Sequence, residues 1–575
     1  MPPAPPKGTA APLPAHLATL LYDAYQHQLR AQYPQAARAY RKILQATPDN
    51  ADVLQLLGIV RARQGREREA IALYLRALER RPDDAKAWYN LALAYGALGD
   101  QAQAVTAMTE AFVRDPHLPL AANVLIPAFR ERWDWRGHAA LWANARRGAV
   151  GESAPVMPFL MLHVDDPGLQ FAAARRFVAA DRPAVPKRDF DHTARRMATG
   201  PIRLAYLSAD FRTHATTHLI TQLFARHDRT RFEVTAISIG PDDGSPQRAG
   251  IVGAVDRFLD REKASCEAIA EEVSALGIDI FVDLMGHSRG ERMRTFANRP
   301  APVQVNYLGY PGTSGAPFFD YIIGDPVVLP FSLAGCFSEK IVQLPECYQP
   351  NDPGLPVSAA ADRAACGLPP EAFVFCCFNV PEKLDPDTFS AFARIVSAVP
   401  GSVLWILEGL AGRRENLQRE AAARGLDPSR LVFAPIVAPQ AHLARVGLAD
   451  LFLDTFPYTA HTTCSDALRR GVPVVTRSGA AFASRVAGSL LRQVDLADLV
   501  TTDVTAFEAK AIGLARDRAA LAAVRARLQR ALPHSPLYDI GRYTRHMERA
   551  YEIMAQRFRA GLPPEAFAVE PLPRA

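Results

Sequence analysis

Two textures of hydrophobic patterning divide the chain. Through about residue 150 the apolar positions recur at helical spacing, and the same residue classes return every 34 residues: Ala36, Ala70 and Ala104, then Pro48, Pro82 and Pro116. Tyr40, Tyr74 and Met108 keep the same phase, Gly58 and Ala92 hold a small position in the first helix of a pair, and Ile43, Ala77 and Ala111 fall late in the second. Small residues let paired helices approach, large ones fill the gaps, and proline ends the second helix. From about residue 201, short β-branched runs alternate with helical stretches, which predicts parallel sheets covered by helices on both faces. Strands are expected at 203–210, 232–240, 278–286, 302–309 and 340–346. After a polar, Pro-rich connection at 347–370, a second set is expected at 373–379, 402–409, 430–435, 450–456 and 473–479.

The 34-residue units at 17–50, 51–84 and 85–118 resemble the tetratricopeptide repeat. Residues 120–147 read as a degenerate closing helical pair, with Trp133, Trp135 and Trp142 expected to cover the end of the stack. The resulting organisation is a Pro-rich disordered leader at 1–16, repeats with their closing pair at 17–150 and a helical linker at 151–200. Two α/β lobes follow at 201–365 and 366–555, then a tail at 556–575. A helical stack presents a concave groove suited to an extended polypeptide, so repeats alone suggest a binding module. Two doubly wound lobes in tandem make a cleft, with ligands at the carboxyl ends of the strands.

Composition narrows the chemistry mostly by exclusion. The 575 residues are 49% hydrophobic and 22% charged, as in globular proteins. The net charge of +6 comes from 66 basic against 60 acidic residues, and the basic clusters are no longer than pairs, so nucleic-acid binding has no support. No apolar run approaches the ~18–20 residues that span a bilayer, and the prolines of MPPAPPKGTAAPLPAH break any secretory helix, so a cytoplasmic protein is expected. Seven cysteines without CxxC or zinc spacing fit reduced thiols. Neither lobe carries GxGxxG, a P-loop, GxSxG or HExxH in the right setting.

Three loops after strands carry candidate chemistry. In TFPYTAHTTCSDALRRGVPVVT the amides near Thr462 and Thr463 open a helix and suit a diphosphate, and Asp466 one turn on is in reach of a ribose hydroxyl; the alternative is an ordinary Thr-capped helix. In CFNVPEKLDPDT, Lys383 is placed to meet phosphate charge, or else is a solvated surface lysine. In SADFRTHATTHLI, His214 and His218 stand four apart, as an acid/base or acceptor-orienting group or as polar residues of a helix start.

Six strings make the chain similar to glycosyltransferase family 41, whose best-known members are the protein O-linked N-acetylglucosamine transferases: LSADFRTHATTHL, RPAPVQVNYLGYPGTSGAPFFDYIIGD, FSEKIVQLPE, CFNVPEKLDP, LADLFLDTFPYTAHTTCSDAL and ASRVAGSLL. The resemblance implies a GT-B catalytic region of two Rossmann-like lobes behind an α-helical repeat solenoid. It implies an inverting transfer of N-acetylglucosamine from UDP-GlcNAc to Ser or Thr of a polypeptide held by the repeats, without cofactor or bound metal. By position it assigns the diphosphate to His461, Thr462 and Thr463, the ribose to Asp466, the leaving phosphate to Lys383, the flanks of the base to His442 and Arg445, and catalytic base or acceptor orientation to His214. Val380, Glu382 and Pro439 depart from the animal enzymes, and Tyr458 puts a bulky ring near the sugar. LDTFPY, LPEC and DLMGHS resemble the SPINDLY O-fucosyltransferase branch, so GDP-fucose is an alternative donor, with asparagine glucosylation from UDP-glucose a third. A repeat scaffold with an inactive transferase half is the non-enzymatic alternative.

Overall fold

The computed structural model describes residues 13–573 apart from 181–189, 353, 355–356, 359–360 and 411. Residues 1–12 of the expected leader therefore lie outside the described residues, and helix begins at Ala15. The chain forms two compact units. One runs to Phe129 and adds Arg136–Gly148 and Glu152–Ala154; the other holds Arg130–Trp135, Ala149–Gly151 and everything from Pro155.

The first unit is three antiparallel helix pairs: Ala15–Leu29 with Tyr33–Ala46, Ala51–Arg63 with Glu67–Arg80, and Ala85–Ala97 with Gln101–Arg114. The repeat positions are its core, since Ala36, Ala70, Ala104, Tyr40, Tyr74 and Met108 are all buried. Gly58 shows why one position must be small: a Cβ there would stand 2.5 Å from Cε1 of Tyr74. Asn50, Asp84 and Asp100 start the helices by accepting hydrogen bonds from first-turn amides. The closing helix His138–Val150 is tied to the third repeat by Asn144 Nδ2, which donates to Pro116 O and Leu118 O at 3.0 and 2.9 Å.

Trp133 and Trp135 correct the sequence reading. Both lie in the second unit, where Trp133 Nε1 donates to Pro381 O at 3.0 Å and Trp135 packs on Phe389 at 5.6 Å between ring centroids. Trp142 remains in the first unit, half-buried beside His138.

The second unit contains two parallel sheets. The first lobe has β1 (Ile202–Ser208), β2 (Phe232–Ser238), β3 (Arg257–Asp260), β4 (Ile280–Asp283), β5 (Val303–Asn306), β6 (Tyr321–Gly324) and β7 (Lys340–Gln343). The second has β8 (Val374–Cys377), β9 (Val403–Leu407), β10 (Leu431–Ala434), β11 (Leu451–Leu453), β12 (Val474–Arg477) and β13 (Val500–Thr501). A last strand, β14 (Phe567–Ala568), pairs with β7, so the segment read as a tail extends the first lobe's sheet, in the order β14-β7-β6-β5-β4-β1-β2-β3. The second sheet runs β10-β9-β8-β11-β12-β13. In each, order reverses beside the first strand of the set, the switch point where such sheets open a ligand crevice.

The helix Ile540–Arg559 follows the second lobe in sequence yet packs into the first lobe's core through Tyr543, Met547, Tyr551 and Met554. The lobes are joined by polar contacts, among them Ser489 Oγ donating to Asp325 Oδ2 at 2.7 Å. No helix among the described residues is long and apolar enough to cross a membrane.

Candidate active site

Lys383 ends a single 3-10 turn, Pro381–Lys383, directly after β8, and Asp385 caps the helix that follows by accepting from Thr388 N at 2.8 Å. The turn leaves Lys383 8% exposed, which removes the solvated-surface reading. Its Nζ donates to Thr459 O at 2.7 Å and sits 3.8 Å from the Tyr458 ring centroid. Burial pulls the ammonium down to about 8, partly opposed by the nearby Asp454 carboxylate.

The loop after β11 is built around Asp454, which burial pushes up to about 6. Its Oδ1 accepts from Thr455 N, Ala460 N and Asn379 Nδ2 at 2.8, 2.7 and 3.1 Å, and its Oδ2 from Thr476 Oγ1 at 2.7 Å. Asn379 also accepts from Thr463 Oγ1, so one buried carboxylate fixes the turn directly and, through Asn379, Thr463 in the first turn of the helix Thr462–Arg469. Cys464 N and Ser465 N bond back to His461 O, while the amides of Thr462 and Thr463 find no backbone acceptor among the described residues. His461, at the N-cap, has a buried Nε2 without a hydrogen-bond partner among the described residues, and burial together with Lys383 drives its imidazole well below its ordinary range, opposed by the Ala483 main chain. Its ring lies 5.2 Å from that of Tyr458. A buried ammonium, the imidazole it faces and the start of the helix Thr462–Arg469 thus stand together at the carboxyl ends of β8 and β11, where an ammonium and a helix start both favour an anion.

Asp466 faces a small cavity shared with Thr462, His218, Asp352, Arg469 and Tyr538. Burial pushes its carboxyl up to about 7 against the pull of Arg469. Arg445 is turned inward: Nη1 donates to Pro435 O at 2.7 Å, and Nε and Nη2 to His442 Nδ1 at 3.2 and 3.0 Å. Arg445 therefore orients His442, which packs edge-on to Phe378 at 5.0 Å and is held down to about 4 by burial and the guanidinium. With Nδ1 accepting, His442 presents Nε2–H as a donor.

In the first lobe His214 is the N-cap of the helix Ala215–Arg226, its Nδ1 accepting from Thr216 N at 3.2 Å. Burial lowers its pKa, against the attraction of Asp210, and the neutral ring that caps through Nδ1 carries its proton on Nε2. That tautomer is a donor suited to orienting an acceptor oxygen. His218 lines the cavity with Asp466 and is also lowered by burial, with Asp352 opposing. The structure thus joins Lys383, His461, Thr462, Thr463 and Asp466 across one strand-end surface, with His442 and Arg445 on the helix Pro439–Val446. It brings His218 to that surface and ties His214 to its own helix.

The sequence reading passed over Asn379, Asp454 and Thr459. Asn379 and Asp454 lie one or two residues beyond β8 and β11, and their position at a strand's carboxyl end was the available signal. Thr459 meets Lys383 through its main-chain carbonyl, which leaves no residue signature.

The Glycosyl transferase family 41 model matches residues 176–353 and 355–547, and Tetratricopeptide repeat models match 30–85 and 73–106. A probable UDP-N-acetylglucosamine–peptide N-acetylglucosaminyltransferase of Arabidopsis thaliana, SEC, is 34% identical over 427 residues, covering 72% of this chain and 43% of that protein. The corresponding SPINDLY protein of Solanum lycopersicum is 33% identical over 384 residues, 62% of this chain and 39% of its own length. The chain thus spans about two fifths of the length of these relatives. A solved Thermobaculum terrenum O-GlcNAc transferase mutant superposes with a TM-score of 0.64 at 29% identity, over 95% of this chain and 98% of that one. With repeats ahead of two parallel-sheet lobes and the family model matched across both, the chain belongs to glycosyltransferase family 41.

Proposed function

We propose that the protein transfers N-acetylglucosamine from UDP-GlcNAc to Ser or Thr hydroxyls of polypeptides. The observation that carries this reading is the buried Lys383 ammonium, close enough to His461 at the start of the helix Thr462–Arg469 to lower its pKa, with the Thr459 carbonyl and an aromatic face as its direct partners among the described residues. Such a site is electrostatically incomplete until an anion enters. The acceptor oxygen attacks the anomeric carbon from the face opposite the nucleotide, the bond from that carbon to the phosphate oxygen breaks with inversion, the hydroxyl proton leaves to solvent water, and the diphosphate departs with one more negative charge. Lys383 and the helix start stabilise that charge as it develops. Asp466 receives the ribose, His442 flanks the base, and His214 orients the acceptor through Nε2–H.

The repeats hold the polypeptide, and the seven cysteines, all free thiols, fit a reducing cytoplasmic setting. The names of the Arabidopsis relative and of the Thermobaculum structure support the sugar and the polypeptide acceptor. One observation favours a second donor: the Tyr458 ring lies on Lys383, narrowing the space beside the leaving group, which suits a smaller 6-deoxy sugar such as fucose from GDP-fucose. The test is incubation with UDP-GlcNAc, UDP-glucose and GDP-fucose, reading nucleotide release and the mass of a Ser/Thr-rich polypeptide. UDP release with a matching N-acetylhexosamine adduct is expected; transfer from GDP-fucose alone replaces the sugar, and no transfer from any donor refutes the reading.

A further inference from the structure

Residues ahead of the first lobe, Arg130 and Trp133 from the expected closing pair and Asp165 and Gln170 from the expected linker at 151–200, reach both ends of Lys383 within the second unit. At the backbone end, Arg130 Nε donates to Glu382 O and Trp133 Nε1 donates to Pro381 O at 3.0 Å, so two of the three residues of the Lys383 turn have their carbonyls held. At the ammonium end the path runs through Asp165. Buried Gln170 donates to Met161 O and Val164 O at 3.1 and 2.9 Å and fixes the turn that presents this carboxylate. The neighbouring Asp166 has a separate task, accepting from Leu169 N at 2.9 Å at the start of the helix Pro167–Ala180.

Asp165 Oδ1 accepts from Ala480 N, Ala481 N and Ser484 Oγ, each at 2.8 Å, and Oδ2 accepts from Ala480 N at 2.9 Å. This fixes the loop after β12. Gly479 makes the approach possible, since a Cβ there would lie 2.1 Å from Asp165 Oδ2. Within the same loop, Ala483 O accepts from Thr459 N and Thr459 Oγ1 at 3.1 and 2.7 Å, and Thr459 O is the acceptor for Lys383 Nζ. The ring on the other side of the ammonium, Tyr458, is flanked from this segment by Phe159 and His163 at 6.3 and 5.6 Å.

The geometry points to Asp165 as a positioning residue for Lys383: its carboxylate holds the 480–484 loop, the loop holds Thr459, and the Thr459 carbonyl fixes the ammonium. Arg130, Trp133 and the residues from Phe159 to Gln170 are then a brace of the transferase site within the second unit. The inference rests on the proposed role of Lys383 in charge stabilisation, but the wiring is testable without turnover.

Three variants of the 575-residue chain address it. Asp165→Ala removes the clamp, Gly479→Ala displaces the carboxylate by its Cβ, and Asp165→Asn keeps an oxygen for the three donors now on Oδ1. Two readouts apply: kcat and donor KM, and the pH dependence of Lys383 acylation followed by peptide mass spectrometry. The groups facing Lys383 are Asp454, Cys377, His461 and Tyr458, none of them altered by these substitutions. In wild type, Lys383 labelling is expected to titrate near its lowered value of about 8. Asp165→Ala and Gly479→Ala should move that titration upward toward an ordinary lysine as the ammonium gains water. They should lower kcat by about tenfold or more with donor KM little changed, as expected for a displaced charge of the transition state. Asp165→Asn should return most of both.

A loss of activity that only follows the folded fraction, with Lys383 labelling unmoved, overturns the inference. If the wild-type protein transfers no sugar from any donor, the functional reading fails, and the labelling titration still decides whether Asp165 positions Lys383.

Discussion

Lys383→Met separates function from stability, and the structure gives the sign and size of each effect. A unit charge about 4 Å from a departing phosphate oxygen, at an effective dielectric of ~20, is worth about 4 kcal/mol. At ~1.4 kcal/mol per decade, removing it should lower kcat by roughly 10³-fold. Stability should move the other way. The group falls from 10.5 to about 8 on burial, so holding it charged in the ligand-free protein costs about 3 kcal/mol below pH 8. A folded pKa below the unfolded one means that the unfolded chain binds more protons between pH 8 and 10.5, so this penalty is full below pH 8 and disappears as pH rises through that window. The contact with Tyr458 offsets about 1–2 kcal/mol, leaving a net gain of about 1–2 kcal/mol for a methionine that fills the same space. The assays are steady-state transfer and thermal unfolding of the ligand-free protein at pH 7. A kcat within tenfold of wild type, or a lowered unfolding midpoint, would refute the reasoning.

Four further outcomes are expected. Asp466→Asn, at a carboxyl pushed up to about 7, should raise the donor KM by about tenfold with kcat little changed, measured by initial rates across donor concentration. Wild-type kcat/KM should fall above about pH 8 as Lys383 loses its proton in the free enzyme, a limb absent from Lys383→Met. Tyr458→Ala should shift donor preference toward bulkier sugars, read as the ratio of kcat/KM between UDP-GlcNAc and GDP-fucose. Gly58→Ala, whose Cβ would stand 2.5 Å from Tyr74, should destabilise the repeat unit by about 1–3 kcal/mol in chemical denaturation without altering turnover of a short peptide acceptor.

What the sequence disclosed follows the range of the forces involved. The 34-residue period was legible because every repeat solves the same local packing problem, as Gly58 against Tyr74 illustrates. Long apolar strands such as β1 and β2 stood out, whereas β6 has four residues, β14 has two, and β3 is a partly exposed RFLD segment that looks like a turn. Lys383 was found by its place after a strand, but its burial was not, because the Tyr458 ring that covers it comes from β11's loop 75 residues later. Asp165 was invisible, since its partners lie more than 300 residues on and are chiefly main-chain amides. Trp133 and Trp135 were given to the nearest helical stack, although the chain crosses into the second unit at Arg130.

The central claim is that the convergent Lys383, Thr462 and Thr463 surface binds the diphosphate of a UDP sugar and drives its transfer. Isothermal titration with UDP at pH 8.5, in buffers of different ionisation enthalpy, tests it most directly. The bound diphosphate should raise the Lys383 pKa, so the account predicts tight UDP binding with net proton uptake in wild type and weak binding without uptake in Lys383→Met. Equal UDP affinity and equal proton exchange in the two proteins would contradict it.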